Sequence, residues 1–460
     1  PEGVGDGRAR RAMKILLVSC NPVVAPYPVY PLGMAVIANA LRRAGHAVRQ
    51  HDMLAGAFSL EKVRAAVAAE NPALIGVSFR NLDNVNACNE AWYVDQLAQL
   101  VAALRAACPA PIVLGGPGFS VMPDQVLAAS GADYGIVGEW ERLIVELAEQ
   151  LARGERPAER IWRAGATLDA AGMVPPAYDD SILAFYMQSG GVTPLQSKRG
   201  CPHRCAYCTY PLLEGHRIRP RDCDQVVDDV LALQAKGAKQ IFFTDSIFND
   251  QAGHYRDLVS AMRRRGVHIP WTGFFRPEVL SPEILAEMKA TGLNAVELGS
   301  DATSDTTLRE MGKDFTFAEV KAVHDRFIEA KLTVSHYFMM GGPGETRATV
   351  QEGIDNVLQL KGAASFIFLG VRILPGTPLE ARARREGLIG DQADLLHPAY
   401  YFSPAIEKDW LNETLIATFK AHRHVVYPPD AMDSGLAFLL FLGYTGMSID
   451  LLLKQCYRRG

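Results

Sequence analysis

The sequence predicts an α/β architecture in two parts: a doubly wound parallel sheet, then an open barrel of strand–helix units. Three observations carry this. Candidate strands read as continuous apolar runs, as in MKILLVSC at Met13–Cys20, which suits strands covered on both faces. They alternate with segments of helical periodicity across short loops. The alternation lapses once, over an Arg-, Pro- and Gly-rich stretch from Ala152 to about Val192. At 460 residues the chain also exceeds what one hydrophobic core supports.

The first series opens with Met13–Cys20. Leu32–His46 follows with helical spacing and a glycine stop at Gly45. AVRQHDM reads as the second strand and Glu61–Ala69 as its helix. Ala73–Phe79 is the third strand, and a long helix runs to Ala107. Pro111–Gly118 and Ala132–Glu139 complete the set, with a short helix at Pro123–Ser130 between them. This pattern predicts a flavodoxin-type strand order, with ligands beyond the carboxyl ends of the strands, where Ser78, Gly115, Gly116, Gly138 and Glu139 fall.

The second series has candidate strands at Thr193–Lys198, Gln240–Asp245, Ile269–Phe275, Ala295–Gly299, Thr333–Met340 and Ser365–Leu374. Helices are expected at Cys223–Lys236, Gly253–Arg265, Pro282–Thr291, Phe317–Ala330 and Thr346–Leu360. Six units are too few for a closed eightfold barrel, so a partial (β/α)6 barrel is expected, with its site at the strand C-termini. The expected domains are a tail or expression remnant over 1–12, a doubly wound domain over 13–151, a linker over 152–192, the barrel over 193–380 and a mainly helical cap over 381–460. No internal repeat of 20–50 residues is visible.

Composition narrows the function class. The chain is 48% hydrophobic and 21% charged, with formal net charge −4, so no broad basic surface points to nucleic acid. No apolar run reaches the roughly 18 residues of a membrane-spanning helix. GLAFLLFLGYTG (Gly435–Gly446) is shorter and reads as a buried helix, with an interfacial membrane contact as the minor alternative. The opening PEGVGDGRARRA has no apolar core of a secretory signal, and a natural start at Met13 is expected. Eight cysteines without paired spacing predict a reducing, cytoplasmic setting and a metal site.

KRGCPHRCAYC (Lys198–Cys208) places Cys201, Cys205 and Cys208 in a Cys-x3-Cys-x2-Cys loop between a strand and a helix. Three thiolates serve three corners of a [4Fe–4S] cube and leave one iron open, whereas electron-transfer clusters are usually fully ligated by protein. Zinc is the alternative, with His203 or His216 as fourth ligand, and unliganded structural cysteines are a third reading.

This loop resembles that of the radical S-adenosylmethionine enzymes. The resemblance rests on the cysteine spacing, Tyr207 before the last cysteine, and the strand–loop–helix context. It extends through FFTDSIF (Phe242–Phe248), WTGFFRPEVL (Trp271–Leu280), ELGSD (Glu297–Asp301), LREMGK (Leu308–Lys313), GGPGET (Gly341–Thr346) and LPGTPLE (Leu374–Glu380). It implies that S-adenosylmethionine chelates the open iron and yields a 5′-deoxyadenosyl radical. It also implies that Arg276 meets the methionine carboxylate, Asp245 the amino group and Asp301 the ribose, with Tyr207 beside the adenine. Asp301 stands where relatives often carry Glu. For Arg276 an ion pair, and for Asp245 a helix cap, are the structural readings.

Upstream, Asn21–Gly33, VSF (Val77–Phe79), LGGPG (Leu114–Gly118) and GIVGEWE (Gly135–Glu141) look like the cobalamin-binding domain that precedes many such barrels. Glycines at strand ends suit close approach of a corrin and its tail, and Ser78 suits a hydrogen bond to the tail. Gly-rich strand ends also hold flavins and dinucleotides. The Asp-x-His-x-x-Gly loop of the wider cobalamin family is absent, so no such histidine is expected under the cobalt; His46 and His51 are expected at the surface.

Taken together, the resemblance implies a cobalamin-dependent radical methyltransferase that moves a methyl group to an unactivated carbon of a small, biosynthetic substrate, supplied with electrons by a flavodoxin or ferredoxin. Tyr210, His216, His336 and Tyr337 are candidates to line its pocket. The rivals are a non-methylating relative (ring contraction, cyclisation or oxidation), an RNA methylthiotransferase, which should add a second cysteine set and a basic tail, and a zinc-bearing binding protein.

Overall fold

The computed structural model describes residues 12–446, 449–450 and 452–453; the expected tail, as far as residue 11, and Cys456 lie outside these. The chain divides into two compact units. The first comprises the chain to Pro22, Pro31–Leu82 and Tyr93–Ile182; the second comprises Val23–Tyr30, Asp83–Trp92 and the chain from Leu183.

The first unit is built on β1 (Lys14–Ser19), β2 (Ala47–Asp52), β3 (Leu74–Ser78), β4 (Ile112–Gly115), β5 (Tyr134–Val137) and β6 (Ile161–Arg163). They form one parallel sheet in the order β2-β1-β3-β4-β5-β6. The order reverses direction between β1 and β3, the place where such sheets open a ligand crevice. The flavodoxin-type order is as expected. The edge strand β6 was not: it lies within the stretch read as linker, pairing Gly135 with Ile161 and Val137 with Arg163. Three half-exposed residues are too short to show a period of two. His46 also departs from expectation. It is buried, and its Nδ1 accepts the Met13 N–H at 3.2 Å, tying the start of β1 to the start of β2.

The second unit contains β7 (Val192–Leu195), β8 (Lys198–Arg199), β9 (Arg219–Pro220), β10 (Gln240–Phe243), β11 (Trp271–Phe275), β12 (Ala295–Asp301), β13 (Thr333–Met340), β14 (Ala364–Leu369), β15 (Val371–Arg372), β16 (Tyr400–Tyr401) and β17 (Val425–Val426). Seven of them make a parallel sheet in the order β17-β14-β13-β12-β11-β10-β7. The edges β7 and β17 are unpaired with each other among the described residues, so the barrel is open, as expected. The seventh strand, β17, comes from the region expected to be a mainly helical cap, which also holds β16 and helices at Lys408–Phe419 and Asp433–Phe441. Among the described residues no helix is long and apolar enough to cross a membrane.

The two faces of the barrel sheet differ. Under the helices lie Phe243, Trp271, Phe275, Val334, His336 and Phe338, all essentially without exposure. On the other face, parallel register aligns Phe274 with Glu297 and Glu297 with Ser335, while Tyr337 aligns with Phe366. There Phe274 is 36% exposed, and Tyr337, Phe366 and Phe368 are half-buried. Towards the amino ends of the strands, that face is filled by Tyr27, Val192, Phe242, Ala364 and Val426.

Candidate functional site

The cysteine loop leaves the barrel immediately after β8, and its course is dictated by backbone. Gly200 has φ +88°, and a Cβ there would lie 2.1 Å from the Arg217 carbonyl oxygen, so only glycine permits the turn. Cys201 N–H donates to Gly215 O (3.1 Å), Gly200 N–H to Glu214 (3.0 Å) and Cys208 N–H to Cys205 O (3.2 Å). Cys201 is buried, while Cys205 and Cys208 are half-buried. Burial raises the Cys201 and Cys208 thiols; Cys208 also feels the sulfurs of Cys205 and Cys201, and Cys201 that of Cys205. Their sulfurs also receive backbone N–H groups, of His203 for Cys201 and of Tyr210 for Cys208. Sulfurs that face one another and receive N–H donors have the chemistry of an iron–sulfur ligand set. Among the described residues no three His, Cys, Asp or Glu side chains converge as a single metal ion requires. The candidate fourth zinc ligands stand apart from the trio: His216 is exposed, and His203 Nδ1 lies 3.2 Å from the Arg276 guanidinium, so three thiols with no fourth side-chain ligand suit a cube with one open iron better than tetrahedral zinc.

Charged side chains brace this edge. Asp245 is completely buried; it accepts from Ser197 N–H (2.7 Å), the Ser197 hydroxyl (2.5 Å) and Lys198 N–H (3.2 Å). Its oxygens therefore hold the strand end that launches the loop. Lys198, equally buried, donates to Asp250 (2.8 Å) and to Phe248 O (2.6 Å). Arg276 is 8% exposed, bonded to Glu278 (2.7 Å) and paired with Asp314, with its guanidinium 5.0 Å from the centre of the Phe315 ring. Two carboxylates thus already occupy the group expected to meet a third. Asp301, at the end of β12 with φ +62°, forms an ion pair with Lys313, whose Nζ also reaches Cys205 Sγ (3.1 Å) and the Tyr207 hydroxyl (3.4 Å). Nothing in the spacing of LREMGK marked Lys313 for this place.

The four candidate pocket residues separate. Tyr210 and His216 are exposed on the loop. His336 points under the helices: His324 Nε2 meets Lys361 O (3.0 Å), His324 Nδ1 meets His336 Nε2 (3.1 Å), and His336 Nδ1 meets Ser300 Oγ (2.9 Å). Burial lowers the pKa of both imidazoles, so both rings are neutral; His324 Nε2–H then donates to the Lys361 carbonyl, His336 Nε2–H to His324 Nδ1, and the Ser300 hydroxyl to His336 Nδ1. Tyr337 alone lies on the open inner face, hydrogen-bonded to Glu297, whose carboxyl burial pushes up to about 7.

In the first unit the expected cobalamin residues share one strand-end edge. Ser78 is half-buried; Gly116 has φ +93°, with a virtual Cβ 2.7 Å from Phe79 O. Gly138 N–H donates to Ser120 Oγ (2.9 Å), and Glu139 accepts Leu168 N–H (2.7 Å). Gly115 differs: the Trp140 indole lies over it, 1.2 Å from where a Cβ would be, so this glycine makes room for a side chain of its own unit. Two buried donors on the edge have no partner, Asn21 Nδ2 and Trp140 Nε1. Orphaned neutral donors beside a switch point fit the amide-fringed ring of a corrin.

Comparisons with known proteins find both domains. Residues 19–148 match the B12 binding domain, and residues 195–357 match the radical SAM superfamily. The chain is 26% identical over 436 residues to tryptophan 2-C-methyltransferase of Streptomyces laurentii, covering 77% of this chain and 72% of that protein. It is 25% identical over 329 residues to bacteriochlorophyllide d C-12(1)-methyltransferase of Chlorobaculum tepidum, covering 70% of each. Its fold matches that of the radical S-adenosylmethionine methyltransferase TsrM from Kitasatospora setae, solved with cobalamin and a [4Fe–4S] cluster, with TM-score 0.83 at 24% identity over 98% of this chain and 100% of that one. With a match to the B12 binding domain followed by a match to the radical SAM superfamily, the chain carries the two domains of cobalamin-dependent radical S-adenosylmethionine enzymes and is similar over most of its length to methyltransferases among them.

Proposed function

We propose that this enzyme transfers a methyl group to a carbon of a small, flat aromatic molecule. The observation that carries the reading is the half-open inner face of the barrel, where Phe274, Tyr337, Phe366 and Phe368 remain partly exposed above a filled base while the opposite face is sealed. Aromatic walls suit a planar ring, and Glu297 with Tyr337 supplies a polar end for an N–H or hydroxyl on that ring. The name of the tryptophan methyltransferase relative supports an aromatic substrate.

When bound, S-adenosylmethionine with the cluster supplies a 5′-deoxyadenosyl radical, and cobalamin supplies the methyl group. The chain's own part is binding and placement. Cys201, Cys205 and Cys208 hold three irons, and Asp245 holds the loop that carries them. Tyr207 flanks the nucleoside, and Arg276 takes the methionine carboxylate by exchanging Glu278 or Asp314. Ser78, Gly116, Gly138, Asn21 and Trp140 receive the corrin.

The test is anaerobic reconstitution with iron, sulfide, hydroxocobalamin and S-adenosylmethionine, reduced through flavodoxin or ferredoxin, followed by mass analysis against a panel of small metabolites. The expected result is a brown protein that adds one CH2 to an aromatic compound. An aromatic product altered without mass gain of CH2 turns the reading to a non-methylating relative, and methylation confined to aliphatic compounds or RNA overturns the substrate class.

A further inference from the structure

We infer that Lys313 and Asp301 form a charge pair that sets the reduction potential of the cluster held by the cysteine loop, Lys313 raising it and Asp301 lowering it. The inference rests on the assignment of that loop to a four-iron cluster.

Lys313 Nζ lies 3.1 Å from Cys205 Sγ, with its side chain 6% exposed. An ammonium donating to a cluster thiolate stabilises the form with one more electron, because the reduced cluster carries more negative charge. In so buried a place the effect is little screened by solvent. Asp301, ion-paired with the same ammonium, offsets part of that charge.

The delivery of Lys313 is built into the backbone. Ala206 N–H donates to Met311 O at 2.9 Å, so the residues before Lys313 are bonded to the loop between Cys205 and Cys208. Gly312, at φ +76°, passes so close that a Cβ would lie 2.6 Å from Arg204 O. Leu379 N–H donates to Ala206 O (2.8 Å) from the other side. A long side chain placed by three backbone constraints, and packed 5.5 Å above the Tyr207 ring and 6.0 Å from that of Phe315, is held against the sulfur with little freedom to leave. The left-handed backbone at Asp301, costly for a non-glycine residue, turns its carboxylate to the same ammonium.

The experiment is a redox titration of the full-length, anaerobically reconstituted protein without S-adenosylmethionine or substrate, following the reduced cluster by electron paramagnetic resonance. Lys313→Met should move the midpoint to more negative potential, Asp301→Asn to more positive, and Lys313→Arg should stay near the parent value. Opposed shifts are what a merely structural role does not produce. If Lys313→Met fails to retain iron, Lys313→Gln and Asp301→Asn carry the test. Variants that hold full clusters at the parent potential overturn the inference while leaving the loop assignment standing; a parent protein without a four-iron cluster overturns the loop assignment itself.

Discussion

The two strand-end edges of this protein solve different binding problems. Apart from Glu139, which accepts the Leu168 N–H, the groups named on the edge of the first unit are neutral: Ser78, Gly116, Gly138, the orphaned Nδ2 of Asn21 and the orphaned indole N–H of Trp140. The edge of the barrel is crowded with charge, in the Asp245–Lys198–Asp250 network, Arg276 between Glu278 and Asp314, and Asp301 with Lys313 against Cys205. On the proposed reading, backbone clearance and neutral donors suit a large polyamide ligand. A cluster carrying net negative charge needs compensating charge, and its loop needs anchors that survive without solvent. On that reading shape decides on the first edge and electrostatics on the second.

The largest expected effect breaks the two edges apart. Cys205→Ala should abolish the cluster and cleavage of S-adenosylmethionine while hydroxocobalamin still binds, as read by iron content and the corrin absorption bands. Loss of both cofactors would mean the edges are not separable. The second strikes the neutral edge. Gly116→Val places a Cβ 2.7 Å from Phe79 O at a positive φ, a strain of roughly 1–3 kcal/mol. Cobalamin affinity should fall at least about tenfold, which corresponds to about 1.4 kcal/mol, with cluster content unchanged. Full corrin binding by this variant would remove the glycine from the site.

The third prediction concerns pH. Glu297 is pushed by burial from its ordinary 4.5 to about 7. The folded protein then keeps a proton that the unfolded chain releases, so this residue's contribution is intact below pH 4.5 and lost as pH rises towards 7. Glu297→Gln cannot ionise, and its denaturant midpoint should decline less than the parent's between pH 5 and 7, by on the order of 1–3 kcal/mol in stability. Identical pH profiles would show that Glu297 is ionised in the folded state.

Much of this was legible in the residues. Long apolar strands with helices between them announce themselves by periodicity, and the Cys201–Cys208 spacing together with Gly200 singles out the loop proposed to hold the cluster. What stayed illegible were short or non-local features. β6 and β17 are three and two residues long and exist only because a neighbouring strand supplies their partners. His46 reads as an ordinary polar residue until the Met13 N–H arrives beside it. Gly115 looked like ligand clearance, yet the space it leaves is taken by Trp140, twenty-five residues along. His336 and Tyr337 are adjacent in sequence and lie on opposite faces of one strand, a difference settled by which face the helices cover.

By itself the sequence determined the two-part alternation of strands and helices and the residue types able to carry cofactors, because hydrophobic period and glycine placement are local properties of the chain. Tertiary structure alone decided that Asp245 is an anchor, that Arg276 already has two carboxylate partners and that Lys313 meets Cys205. Those roles depend on which groups, distant along the chain, converge where water is excluded, and no local pattern encodes that meeting.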